Sequence, residues 1–434
     1  MSAALSDIFW PPADELAEAA ERIRARLGVW PASTVPARIC LAPPESPRAG
    51  DVVVAAAGDA AARGESLARL TAAGAAVIVI DDASAALHAG GSHCALASRA
   101  PLADDWIAAL AAFIDCGLDM RDALVLALAW RDGDEAAGAG AHRDDARDAR
   151  APAGAVRDAG PLGGGTRGRG MGVNRSEARG SGTDCADPCR PGTAAHADGN
   201  LPPWPTDFAR LPHALSAPAA PAPGFPPCPE RLGLYAVLPS ADWVERVLDC
   251  GVTTVQLRVK GAAPDRLRAE IERAVAASRR YPQARLFIND HWRLALEAGA
   301  YGVHLGQEDL ETADLAAIAH AGARLGLSSH GYYEMLVALH AKPSYLALGP
   351  VFATRTKADA APPQGLARIA RYARIATGRA PLVAIGGITV DTLAAVLATG
   401  VGSAAVVSAV TGAADYRSAI IAMQKVFAGQ FDNL

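Results

Sequence analysis

The sequence predicts an α/β protein: a C-terminal (β/α)8 TIM barrel, preceded by a small α/β-like N-terminal region and a long disordered linker. Three observations predict it. Beyond residue 230, eight short apolar runs alternate with amphipathic helical stretches, the beat of a closed parallel barrel near its lower size limit. Between 131 and 200 there is no Phe, Tyr, Trp or Ile and a single Leu, too little apolar surface to offset the entropy of ordering. No G-x-G-x-x-G follows the first barrel run, which leaves an open doubly wound sheet without support.

The elements follow in chain order. In the N-terminal region, 1–134, residues 13–27 read as a helix stopped by Gly28. Strand-length apolar runs cover 51–57 and 75–81, with helical spacing at 60–73, 105–116 and 120–130. Residues 135–229 read as linker, rich in Gly, Ala, Arg and Asp and then in Pro and Ala over 217–230. Arg167 and Arg169 among glycines suggest an RGG-like RNA binder, but the adjacent aspartates and the lack of aromatics favour a plain tether. In the barrel, 230–430, strands are expected at 232–238, 253–259, 285–290, 302–306, 324–328, 345–349, 381–387 and 404–410. Helices are expected between them, at 264–279, 311–321 and 391–399 among others.

Composition removes several classes. The net charge is −5, which gives no argument for nucleic-acid binding. No apolar run approaches the roughly 18 residues that span a bilayer. The opening stretch carries early acids and no apolar core, so no secretory signal is expected and the cytoplasm is the expected compartment. Seven scattered cysteines make a disulfide scaffold improbable, and the Cys185/Cys189 pair has no second pair at zinc spacing. Only four of the 41 basic residues are lysine, at 260, 342, 357 and 425.

Active sites of such barrels lie at the C-terminal strand ends, and polar residues collect there. Gln256, Arg258 and Lys260 alternate along one strand face. Two cations and an amide suit a diphosphate; a solvated strand end accounts for them equally well. Asn289-Asp290 ends the third strand and Asp309 follows the fourth. Two such carboxylates suit Mg2+, which keeps waters or phosphates in its shell; helix capping is the alternative for each. His304 is expected to point into the barrel or pack beside its strand. Ser328, near His330, lacks an acid to complete a triad and reads as a hydrogen-bonding ligand. The segment 349–365 reads as an ordered active-site loop, and Gly386-Gly387 with Val407-Ser408 as a phosphate cradle.

The strings GLYAVL, VQLRVK, FIND, GVHLGQED, GLSSH, LGPVFATRTK, AIGGI and VVSAV occur in this order. On these motifs, residues 231–430 closely resemble the thiamine phosphate synthase (thiamine-phosphate pyrophosphorylase) family. The resemblance implies a Mg2+-dependent transferase acting on small molecules, with no nucleic-acid or membrane partner. It would join 4-amino-2-methyl-5-hydroxymethylpyrimidine diphosphate to 4-methyl-5-(2-phosphoethyl)thiazole, giving thiamine phosphate and diphosphate. The pyrimidine C–O bond would break first. By the resemblance, Gln256, Arg258, Lys260 and Asn289 contact the pyrimidine diphosphate, and Asp290 and Asp309 hold Mg2+. Ser328 contacts the pyrimidine, Lys357 the diphosphate, and Thr354 and Thr356 line the thiazole phosphate side. Gly387, Val407 and Ser408 receive the thiazole phosphate. Arg258, Lys260, Ser328 and Lys357 are the implied catalytic group.

One position departs from the pattern: Val259 stands where the family usually has an acid. Thiazole tautomerase barrels share the phosphate cradle, and a non-catalytic sensor of thiamine precursors is the other alternative. Retention of Arg258, Lys260, Asp290, Asp309 and Lys357 argues against both. Because every motif lies beyond Arg231, the barrel alone is expected to carry turnover. Residues 88–130 bear a faint likeness to the end of a hydroxymethylpyrimidine phosphate kinase of the ribokinase type. Its G-[TS]-G-C core is absent, with Gly90-Gly91-Ser92-His93-Cys94 in its place, and a bland α/β appendage is the competing reading.

Overall fold

The computed structural model describes residues 8–27, 37–130, 204–205, 207–354 and 361–431. The expected disorder of 135–200 and the Cys185/Cys189 pair lie outside the described residues, as do Thr356 and Lys357.

The N-terminal region is a seven-stranded sheet in the order β1 to β7. Strands β1 (Phe9–Trp10), β2 (Arg38–Cys40), β3 (Asp51–Ala56) and β4 (Ala76–Asp81) pair in parallel. Helices α1 (Asp14–Arg26) and α2 (Gly64–Ala72) provide crossovers. The sheet then turns antiparallel through β5 (Ser84–Ala89), β6 (Ser92–Ala97) and β7 (His213–Ala214). The β5–β6 hairpin is not legible in the sequence, because alanines on both faces blur the two-residue alternation. Helices α3 (Trp106–Asp115) and α4 (Met120–Ala129) follow, with every residue of α4 from Asp122 onward buried.

Strand β7 lies inside the stretch expected to be linker, so that reading is corrected from Trp204 onward. The reason is apolar content. Trp204 and Leu211 are fully buried, and Trp204 packs on Phe113 with ring centroids 5.2 Å apart.

Eight parallel strands close the barrel: β8 (Gly233–Leu238), β9 (Thr254–Leu257), β10 (Arg285–Asn289), β11 (Gly302–Leu305), β12 (Arg324–Ser329), β13 (Tyr345–Leu348), β14 (Leu382–Ile385) and β15 (Ser403–Val406). Closure is the pairing of β15 with β8. Helices α5 (Ala241–Leu248), α6 (Pro264–Ser278) and α7 (Trp292–Ala298) follow the first three strands. Next come the short α8 (Gln307–Leu310) and then α9 (Leu315–His320), α10 (Tyr332–His340), α11 (Gly365–Ala376) and α12 (Val390–Leu397). The short α13 (Ser408–Thr411) and α14 (Tyr416–Phe431) end the chain. Side chains alternate across each strand. Tyr235, Phe287, Tyr345 and Val383 therefore fill the barrel interior, while the opposite faces meet the helices.

Three strand ends differ from expectation by two residues or more, the first being β14, which stops at Ile385 rather than 387. The N–H of Arg258 still donates to the Leu238 carbonyl at 2.8 Å, but the ladder stops at Leu257 as the chain turns toward Gly261 at φ 62°. Arg258 and Lys260 thus lie beyond the strand. Likewise β15 stops at Val406, because Val407 leaves the extended region at ψ −82° and Ser408 opens α13.

The N-terminal region packs on the barrel through α4 against α10. Asp122 Oδ1 accepts from the backbone N–H of Tyr333 at 2.9 Å, satisfying one of the orphan donors of α10. Arg368 donates to the carbonyls of Cys116 and Gly117 at 3.3 and 3.2 Å, and Arg371 lies over the Trp204 ring at 4.5 Å. Tyr332 and Tyr372, edge to face at 4.7 Å, are both buried.

Burial, reinforced by Asp119, pushes the Asp122 carboxyl up to about 8. Its native state therefore holds a proton that the unfolded chain releases near 4. The associated stability is present below that pH and is lost as pH rises to about 8. Asp122→Asn is expected to flatten the fall in Tm between pH 4 and 8 and to raise Tm at pH 8 by on the order of 5 °C. Thermal melts across pH check this; an unchanged slope removes Asp122 as its source.

Candidate active site

A cavity of about 980 Å³ opens at the C-terminal ends of the barrel strands. Gln256, on β9, is buried and turns into it. Arg258 lines it from the loop after β9 and also borders a recess of about 340 Å³ lined by Val259 and Lys260. The structure thus brings Gln256 and Arg258 to the main cavity and Lys260 to its neighbour. Val259 is half-buried against the core.

Asn289 ends β10, and Asp290 follows it at φ 62°, a conformation costly for most side chains but accessible to Asp and Asn. Its N–H donates to the His304 carbonyl at 2.9 Å, which fixes the turn. Asp309 comes from α8, where its Oδ2 accepts from the N–H of Gly306 at 2.9 Å. The capping alternative is therefore real for Asp309, yet its carboxylate still borders the cavity beside Asp290. Atoms packed around the Asp290 carboxyl, and then the Asp309 charge, push it above the usual carboxylate range, although the residue reaches solvent. Among the described residues, no three His, Cys, Asp or Glu side chains group to hold a metal. Two carboxylates at one cavity suit Mg2+ when phosphate oxygens supply the remaining ligands.

Ser328, on β12, bonds His304 Nε2 at 2.8 Å. His304 points into the barrel, and burial, with Arg258 and His330 nearby, pushes it down to about 4. Thr354 lines the cavity just before the undescribed 355–360. Gly387, Val407 and Ser408 also line the cavity, and Val407 borders the recess beside Arg258 and Lys260 as well. Gly387 sits at φ 64°, and a Cβ there would meet the Ala353 carbonyl at 2.6 Å, so the cradle requires glycine.

Several lining residues were missed from sequence. Gln307 donates to the Ser328 carbonyl at 2.6 Å. His330 bonds Glu334 at 2.8 Å. Burial favours a higher pKa for Glu334, but hydrogen bonds from the His330 ring and backbone outweigh it and hold the carboxyl low. Their i,i+4 spacing was the available signal. His93 and Arg121 of the N-terminal region, with Ser216 and Pro218 just after β7, also border the cavity, and no spacing rule reaches across that distance.

Residues 234–410 match the family model for thiamine monophosphate synthase. Thiamine-phosphate synthase from Salmonella newport is 59% identical over 198 residues, covering 45% of this chain and 92% of that protein. The chain belongs to the thiamine-phosphate synthase family. It is thus a transferase with small-molecule substrates. The Salmonella typhimurium thiamine-phosphate synthase is 58% identical over the same length. A solved thiamine phosphate pyrophosphorylase from Pyrococcus furiosus is 32% identical, covering 46% of this chain and 97% of that one, with a TM-score of 0.42. The synthase match is confined to the barrel, so the N-terminal sheet and its cavity-lining residues lie outside it. No helix among the described residues is long and apolar enough to cross a membrane.

Proposed function

We propose that this synthase condenses 4-amino-2-methyl-5-hydroxymethylpyrimidine diphosphate with 4-methyl-5-(2-phosphoethyl)thiazole in the cytoplasm, with Mg2+ as cofactor. The observation that carries the reading is the meeting of Arg258, Asp290, Asp309, Ser328 and the Gly387–Ser408 cradle around one cavity. Arg258, Lys260, Lys357 and Asn289 hold the diphosphate and stabilise the negative charge it gains as the C–O bond breaks. Gln256 and Ser328 orient the pyrimidine ring. Asp290 and Asp309 would hold Mg2+, which supplies further charge neutralisation for the departing diphosphate. Backbone N–H groups at Gly387, Val407 and Ser408, with Thr354 and Thr356, fix the thiazole phosphate. The thiazole nitrogen is thereby presented to the resonance-stabilised pyrimidine cation, so positioning replaces a covalent nucleophile.

The test is a coupling assay on the full chain with both substrates, with and without Mg2+. Thiamine phosphate is expected with Mg2+ and its loss with EDTA; no product with both substrates and Mg2+ overturns the reading. Lys260→Arg is expected to lower kcat/KM about 10-fold, because a planar fork does not replace a compact ammonium. Steady-state kinetics check this, and wild-type rates return Lys260 to a general surface role.

A further inference from the structure

A continuous chain of hydrogen bonds crosses the barrel interior beneath the cavity. Gln256 Nε2 lies 3.0 Å from Tyr235 Oη, and the Tyr235 and Tyr345 hydroxyls are 2.8 Å apart. Tyr345 Oη lies 2.6 Å from His304 Nδ1, and His304 Nε2 lies 2.8 Å from Ser328 Oγ. The imidazole stacks on the Tyr345 ring, tilted by 20° at 5.6 Å. Gly326 makes room for this, since the Tyr345 ring occupies the space a Cβ would need. All members but Ser328 are buried. The two ends, Gln256 and Ser328, border the cavity, as does the edge of His304.

Such a chain has a direction. Each hydroxyl owns one proton, and the imidazole, buried with both nitrogens against hydroxyls, is neutral with one N–H. Two arrangements leave no interior member unsatisfied. In one, protons point from the Gln256 amide through both tyrosines to Nδ1, and Nε2–H donates to Ser328. Ser328 O–H then donates into the cavity while the Gln256 carbonyl accepts. In the other, every bond and the amide are reversed. The tautomer of His304 records which arrangement is present. A mixed chain would strand a buried hydroxyl without a partner, which is penalised.

We propose that His304 is a positioning residue: with Tyr235 and Tyr345 it forces Gln256 and Ser328 to be of opposite hydrogen-bond character, one donor and one acceptor. That pair complements the edge of an aminopyrimidine, where a ring nitrogen accepts beside an amino group that donates. The inference rests on the reading that these two residues meet the pyrimidine ring. A corresponding oxo-pyrimidine carries the opposite pattern, a carbonyl acceptor beside a ring N–H, and selects the reversed chain.

The test uses the full-length protein labelled with 15N-histidine. His304 is expected as one neutral tautomer with the aminopyrimidine diphosphate and as the other with its oxo analogue. In parallel, Tyr345→Phe, which cuts the chain but keeps the ring, is expected to raise KM for the pyrimidine diphosphate about 10-fold. KM for the thiazole phosphate should stay unchanged. The same tautomer in both complexes, a cationic ring, or equal changes in both KM values overturns the relay alone. Titration showing no binding of the aminopyrimidine diphosphate overturns the functional reading and the relay with it.

Discussion

Asp290→Asn is expected to reduce Mg2+-dependent turnover by about 10²- to 10³-fold while leaving the fold intact. The carboxylate pair is Asp290 and Asp309, and among the described residues no third acid or histidine joins them. On the proposed reading, losing one removes half of the protein's own ligands for a hard cation. In the proposed reaction it would also remove one fixed charge beside the departing diphosphate. Asparagine keeps the local backbone, since it tolerates the left-handed conformation at φ 62°. The stability effect has the opposite sign. Local packing and Asp309 hold the Asp290 carboxyl above its ordinary pKa. Ionising it in the metal-free protein therefore costs stability as pH rises through that value. The amide has no such cost, so metal-free Tm should hold or rise at neutral pH while added Mg2+ no longer raises it. Kinetics and melts with and without Mg2+ read both effects. Wild-type turnover with a wild-type Mg2+ response would remove Asp290 from the site.

Deleting residues 1–224 is expected to destabilise the barrel by on the order of 5 kcal/mol, because it uncovers barrel side chains that the N-terminal region helps to cover. Tyr332, Tyr372 and Arg371 are at most 1% exposed. The partners removed include Trp204 over Arg371 and the Asp122 carboxyl bonded to the start of α10. That figure is a large part of a typical domain's stability of about 5–15 kcal/mol. The fragment 225–434 should melt well below the full chain, bind a hydrophobic dye, and lose activity on mild heating. The same Tm for fragment and full chain would show that the barrel helices close over these residues without the N-terminal sheet. The expectation that the barrel alone carries turnover concerns activity; motifs that all lie beyond Arg231 do not make the barrel's stability independent of the N-terminal sheet.

The barrel was legible because its signals are local. Each apolar run and each helical stretch lies within a few residues of itself, and strand ends order the polar side chains at the mouth. Of the site residues named from strand ends and from the resemblance, Gln256, Arg258, Asn289, Asp290, Asp309, Ser328, Thr354, Gly387, Val407 and Ser408 border the cavity, Lys260 borders the neighbouring recess, and Thr356 and Lys357 lie outside the described residues. The exact strand ends were less legible, since backbone turns at Val407 and Gly261 decide them. Alanine hid the β5–β6 hairpin, because a small side chain carries almost no burial signal in either direction.

By itself, then, the sequence determined the fold class and the family and named the candidate site residues, because short motifs and periodicity encode local structure. The tertiary structure alone decided what crosses long separations. It set Asp122 against Tyr333, Trp204 against Arg371, and Arg121 at the mouth of a cavity built by the barrel. It also turned His304 inward, between Ser328 and Tyr345. Those contacts join residues from about 24 to over 200 positions apart. Burial and hydrogen-bond satisfaction, which choose such partners, are properties of the packed molecule and leave no periodic trace in the chain.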